Sequence, residues 1–147
     1  MVRTGTTPLV ALGTLALAAS EIRVKMSDLP LAVQKTVKEQ TRGARIRGFS
    51  KEVENGKTYY EAETMVNGKS RDILMDSTGT VVEVEEQTDL NSIPAAARRA
   101  LDGRIGTGKV LRVESVTKGS QVSYEAHILR HGKRSEVTVA PDGTIQE

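Results

Sequence analysis

The sequence predicts an α+β protein made of two tandem repeats, each one helix followed by a four-stranded antiparallel meander, with the helix packed on one sheet face. Three observations predict it. Residues 64 positions apart match without a gap from Ser27 to Glu83: Pro30 meets Pro94, Tyr60-Glu61-Ala62 meets Tyr124-Glu125-Ala126, Gly68-Lys69 meets Gly132-Lys133, and Gly79-Thr80 meets Gly143-Thr144. Helix-start signals stand at the head of each copy. Period-two stretches separated by Asn, Asp and Gly turns fill the rest. The repeats are expected at 26–86 and 90–147, with the acidic run from Glu85 to Asp89 as linker.

The first helix opens at Pro30, where a missing N–H costs little, with Ser27 or Asp28 as the cap. Leu29, Val33 and Val37 fall four apart on one face, while Lys35, Lys38 and Glu39 point away. The second helix takes Ser92 as cap, then Pro94, with Ile93, Ala97 and Leu101 as its stripe. Gly43 ends the first helix, and Gly103 and Gly106 the second.

Strands follow over Ile46 to Val53 and Val110 to Thr117, ending in turns at Asn55-Gly56 and Lys118-Gly119. Val122, Tyr124, Ala126 and Ile128 then alternate with Ser123, Glu125 and His127. The matching strand sets Tyr60 and Ala62 against Tyr59, Glu61 and Glu63. Asn67-Gly68 and His131-Gly132 reverse the chain into a third row, carried by Ile73 and Met75 and by Val137 and Val139. Ser77-Thr78-Gly79 and Pro141-Asp142-Gly143 lead into a last strand, Val81 to Glu85 or Thr144 to Glu147. A unit of this size buries only a marginal core, so the two copies are expected to pack together, edge-to-edge joining into one longer sheet being one route.

Composition limits the chemistry. The chain has 147 residues, a formal charge of +2 and no Cys, which excludes disulfides, thiolate catalysis and Cys-ligated zinc. Aromatic residues make up 3%, too few for a base-stacking platform, and the charge bias is too weak to imply a polyanion partner; nucleic acid is not expected. Residues 1–20 read as an export signal: Arg3 leads, Pro8 to Ala19 is uncharged and mostly apolar, and Ala16-Leu17-Ala18 offers small residues for cleavage after Ala18 or Ser20. The apolar run is too short to span a bilayer, so no membrane span is expected after cleavage. The mature protein is expected to be periplasmic or secreted.

The pattern Leu29-Pro30, Gly56-Lys57, Tyr59 to Ala62, Asn67 to Lys69 and Asp76 to Val81 resembles the PepSY-like family. The second copy resembles it through Ile93-Pro94, Tyr124 to Ala126, Gly132-Lys133 and Asp142 to Ile145. Tandem copies behind a signal peptide are similar to the arrangement of the secreted β-lactamase inhibitory proteins. The resemblance implies a non-catalytic exported protein without a cofactor, related to modules proposed to restrain peptidases.

No Ser, Thr or acid stands in a recognisable nucleophile–base arrangement, so no catalytic residue is assigned. His127 and His131 would lie roughly 13 Å apart along a strand, too far for two ligands that must each sit about 2.1 Å from one ion. His127 is read as outward-facing and His131 as a turn residue, with no metal site. Glu83, Glu85, Glu86 and Asp89 read as a solvated edge, and Gly103 to Lys109 as a connector. What remains is the polar sheet face. Tyr59, Glu61 and Glu63 in the first copy, with Ser123, Glu125 and His127 in the second, are the candidate surface for a protein partner, such as a peptidase. The alternative is a small-molecule or cation-binding envelope protein using Glu61, Glu63 and Glu125.

Overall fold

The computed structural model describes residues 21–146. The export signal expected at 1–20 lies outside them. The described chain runs β1 (Ile22–Val24), α1 (Leu31–Gln40), β2 (Arg45–Glu54), β3 (Lys57–Val66), β4 (Lys69–Asp76), β5 (Val81–Thr88), α2 (Ala95–Ile105), β6 (Lys109–Lys118), β7 (Gln121–Arg130), β8 (Lys133–Val139) and β9 (Ile145–Gln146). A single 3-10 turn precedes each helix, at Met26–Asp28 and Leu90–Ser92.

Every strand pairs antiparallel with its sequence neighbours, giving one nine-stranded sheet in the order β1 to β9. This corrects the expected fold. The described residues do not form two tandem helix-plus-four-strand repeats; they form a single sheet carrying two short helices. The physical reason lies at the centre. The segment read as an acidic linker continues β5 to Thr88, and its edge N–H and C=O groups pair with β6 from Val84↔Thr117 to Thr88↔Val113. An unpaired edge leaves a row of donors and acceptors open, and this pairing closes two such edges at once. The sheet also gains β1, which sequence reading missed because three residues are too few to show a period. It pairs with β2 through Ile22↔Lys51 and Val24↔Phe49.

Both helices lie on one face. Val33 and Val37 of α1 pack with Leu29, Phe49, Tyr60, Ala62, Ile73 and Met75. Ala97, Leu101 and Ile105 of α2 pack with Ile93, Val113, Ala126, Ile128 and Val139. Tyr60 belongs to the first cluster and the half-buried Tyr124 packs against the second. The expected Ser and Asp caps are replaced by Pro30 and Pro94 at the N-cap positions, whose carbonyls accept from Gln34 and Arg98 at 2.9 Å. A proline there has no N–H to satisfy, and its fixed φ sets the chain's entry angle.

The helices are pinned to the sheet by two glycine turns. Gly79 (φ +82°) and Gly143 (φ +90°) adopt the left-handed conformation that side chains disfavour. A Cβ at either would stand 2.5 Å from the Ala32 carbonyl oxygen or 2.7 Å from that of Ala96, so each turn touches helix backbone. The connector read between Gly103 and Lys109 is the last turn of α2 followed by Gly106–Gly108, where Gly108 N–H donates to Ile105 O.

Candidate functional site: the carboxylate face

In a strand, successive side chains alternate between faces. With Tyr60, Ala62, Ile73 and Ala126 under the helices, their neighbours must occupy the opposite face. Strand register then assembles that face in rows. Ser50 pairs with Glu61, Glu61 with Leu74, and Leu74 with Glu83. Glu63 pairs with Asp72, Asp72 with Glu85, Glu85 with Val116, and Val116 with Ser123. Glu114 pairs with Glu125 and Glu125 with Thr138, while His127 pairs with Glu136. A face that looked polar along each strand is thus strongly acidic across strands.

These acids are not simply solvated. Glu52, Asp72, Glu83, Glu85, Glu114 and Glu125 are buried. His127 keeps the outward phase read from its strand but is buried instead of solvent-facing; Glu125, two residues earlier on β7, and Glu114 and Glu136 from the neighbouring strands surround it, and alternation along the strand reveals only the first of these. Glu83 and Glu85 likewise depart from the solvated edge read for them. Tyr59, Glu61, Glu63 and Ser123 are half-buried. Of the six residues singled out from sequence, Glu61 and Glu63 share one part of the face and Glu125 and His127 another. Tyr59 stands beside Glu52 and Asp76, apart from both groups. Ser50, Asp72, Glu83, Glu85, Glu114 and Glu136 were missed. Their signal was present as an acid or hydroxyl at the outward phase of its strand, but only the cross-strand register makes it a cluster.

In the second half of the sheet, His127 Nε2 lies 2.9 Å from Glu114 Oε2 and 3.2 Å from Glu125 Oε1, and Nδ1 lies 3.3 Å from Glu136 Oε1. Thr138 Oγ1 donates to Glu125 Oε2 at 3.0 Å, and Arg112 Nε stands 2.8 Å from Glu114 Oε1. Burial pulls the imidazole's affinity for a proton down, but the carboxylates close to it, Glu114, Glu136 and Glu125, outweigh it and lift its pKa to about 9. Burial, followed by the nearby charge of Glu136, pushes Glu125 above the usual carboxylate range. The ligating atoms of Glu114, Glu125 and His127 lie within 4.8 Å of one another, as do those of Glu21, Glu61 and Glu63; these are the two groups of the described residues that could hold a metal ion.

The first half contains no imidazole. Ser50 Oγ donates to Glu61 Oε2 at 3.3 Å, Thr64 N–H donates to Asp72 Oδ1 at 3.2 Å, and Arg23 pairs with Glu63. Burial, then the charges of Asp72 and Glu63, raises Glu61 to about 8; burial raises Asp72 to about 6. Glu85 is driven higher still by burial and by its contact with Glu83, whose own carboxylate meets Lys118 Nζ at 3.0 Å. Glu61, Asp72, Leu74, Glu83 and Glu85 line a shallow, partly open pocket with room for about one water molecule. Both Glu85 oxygens are buried there with no hydrogen-bond partner. A pocket floored by crowded, buried acids is suited to a group that brings positive charge.

No protein-family model matches the sequence. No curated protein is significantly similar to it. Solved structures do share the fold. A protein of Bacteroides eggerthii DSM 20697, provisionally described as periplasmic, superimposes with a TM-score of 0.67 at 19% identity, over 81% of this chain and 86% of that one. A DUF2874 family protein of Bacteroides uniformis ATCC 8492 gives 0.65 at 20% identity, over 80% and 86%. A BLIP-like protein of Bacteroides fragilis NCTC 9343 gives 0.60 at 17% identity, over 81% and 84%. Among the described residues no helix is long and apolar enough to cross a membrane. At these identities the likeness is one of fold: this chain has the architecture of DUF2874 and BLIP-like proteins.

Proposed function

We propose that the protein is an exported, non-catalytic binding module of the periplasm or extracellular medium that receives a basic segment of a protein partner, such as a peptidase, on the carboxylate face of its sheet. The observation that carries this reading is the pocket of Glu61, Asp72, Leu74, Glu83 and Glu85. Its raised acids hold protons that a lysine ammonium or arginine guanidinium would displace, and Leu74 would meet the aliphatic stem of such a side chain. Half-buried Tyr59 and Ser123 on the same face supply the flanking contacts. Export is supported by the signal-like residues 1–20 and by the periplasmic description of a fold neighbour. A non-catalytic role is supported by the sequence resemblance and by the BLIP-like neighbour.

Calorimetric titration with a Lys- and Arg-rich peptide, against an acidic peptide of equal length, tests the reading. The basic peptide should bind and release protons, more tightly as pH rises from 6 to 8, and about tenfold more weakly in a Glu61→Gln, Glu85→Gln variant. These substitutions mimic the protonated acids, so the fold should tolerate them. Equal binding of both peptides, or indifference to the variant, would overturn it. Capture from an envelope extract on the wild type and on the same variant then asks whether the partner is a peptidase. The small size of the pocket also favours a second reading, a small organic cation as ligand. A free alkylamine binding as tightly as the peptide would select that one.

A further inference from the structure

We infer that Glu114, Glu125 and His127 form a binding site for one divalent transition-metal ion, zinc by the nature of its donors, with Glu136 as the carboxylate that orients the imidazole. The inference goes beyond the partner-binding reading and does not depend on it.

The donor atoms are already spaced for an ion. A tetrahedral centre with bonds of about 2.0–2.1 Å needs its ligand atoms roughly 3.3–3.4 Å apart. His127 Nε2 stands 2.9 Å from Glu114 Oε2 and 3.2 Å from Glu125 Oε1. Hydrogen bonding alone leaves this trio unsatisfied. Nε2 carries at most one N–H, which Glu114 Oε2 takes. Glu125 Oε1 is then buried beside the same nitrogen without a hydrogen-bond partner, in a residue 0% exposed. Such a group is costly to leave unmet. An ion bound to the Nε2 lone pair and one oxygen of each carboxylate meets all three, and the sum of charges, two carboxylates and a dication, is zero.

The surroundings match what a metal needs. A metal-bound imidazole commonly donates its other N–H to a carboxylate, and Glu136 Oε1 stands 3.3 Å from His127 Nδ1. The remaining oxygen of Glu125 accepts from Thr138, and that of Glu114 faces Arg112. All four residues sit on paired strands in mid-sheet, where the rotamers have little freedom. One imidazole and two carboxylates suit zinc better than calcium, which favours six to eight oxygens. Glu21, Glu61 and Glu63 make the instructive contrast: no imidazole is present, and Arg23 already engages Glu63.

The protein stripped with EDTA should take up one zinc ion per chain in calorimetric titration, and cobalt(II) should give a visible d–d band. His127→Gln and Glu125→Gln should each weaken zinc at least ~100-fold, and Glu136→Gln by roughly 10–100-fold while keeping the band. Glu39→Gln, on the exposed side of α1, should change nothing. Absence of stoichiometric uptake, or uptake unaltered by His127→Gln, would overturn the site. Should that variant not fold by circular dichroism, imidazole 15N shifts of the wild type decide: zinc must move His127 Nε2 and leave its Nδ1 protonated, with His131 unmoved. An unmoved Nε2 would equally overturn it.

Discussion

The two halves of the acidic face occupy the same register and solve the same electrostatic problem differently. Ser50 pairs with Glu61 as Glu114 pairs with Glu125, and Glu63 pairs with Asp72 as His127 pairs with Glu136. In the first half the carboxylates crowd together with one arginine at the rim, and the interior answer is a raised proton affinity at Glu61 and, less, at Asp72. In the second half a histidine replaces one acid, a glutamate replaces the serine, and the imidazole sits among three carboxylates. One scaffold can therefore hold a proton-storing pocket and an imidazole-centred cluster side by side. The difference depends on which side chain stands at two strand positions, not on any change of backbone.

Removing the imidazole should break this comparison most severely. His127→Ala leaves Glu114, Glu125 and Glu136 facing one another in the interior and should destabilise by about 3–5 kcal/mol, the range for stripping one partner from a buried charge pair. Glu63→Ala, at the matching position, removes an ion pair whose arginine is mostly exposed and should cost under about 1 kcal/mol. Chemical denaturation of the two variants checks the contrast, and equal losses would refute it.

Titration should give the next largest effect. Glu61 and Asp72 have folded-state pKa values raised to about 8 and about 6, above those of the unfolded chain, so the folded state holds more protons between these limits. Their contribution is therefore complete at low pH and lost as pH rises toward 8. Thermal melts should show a melting temperature that falls between pH 5 and pH 8.5. Glu61→Gln should flatten most of that slope. A melting temperature that rises over this range would contradict the assignment.

The smallest effect concerns how each helix meets its glycine turn. Thr36 Oγ1 donates to the Gly79 carbonyl at 2.6 Å, whereas Ala100, its counterpart, offers only a methyl group near Gly143. Thr36→Ala should cost about 1 kcal/mol, and Ala100→Thr should recover a few tenths to about 1 kcal/mol by adding the missing bond. Denaturation midpoints of the two single variants measure the exchange directly.

Much of the local structure was legible because its causes are local. The alternation of Val122 to Ile128 fixed the inward phase of β7, and the turn pairs Asn55-Gly56, Asn67-Gly68 and His131-Gly132 do adopt positive φ. The stripe of Val33 and Val37 identified the buried side of α1. The candidate site was legible only in part. Glu61, Glu125 and His127 were marked by their phase along the strand, yet read as solvated or partner-facing. A single strand shows which face a side chain takes but not what stands on the next strand. Glu114 is eleven residues before Glu125 and Glu136 eleven after, distances at which no periodicity speaks.

The sequence by itself determined the elements: where helices start, where turns reverse the chain, and which residues point to an oily core. These follow from proline and glycine backbone limits and from side-chain alternation, which act over a few residues. Tertiary structure alone decided that β5 and β6 join into one nine-stranded sheet, and that acids from seven neighbouring strands, β2 to β8, share its far face with His127. Pairing brings into contact groups that are remote along the chain, and the loss of water around them, not their own composition, raises their proton affinities.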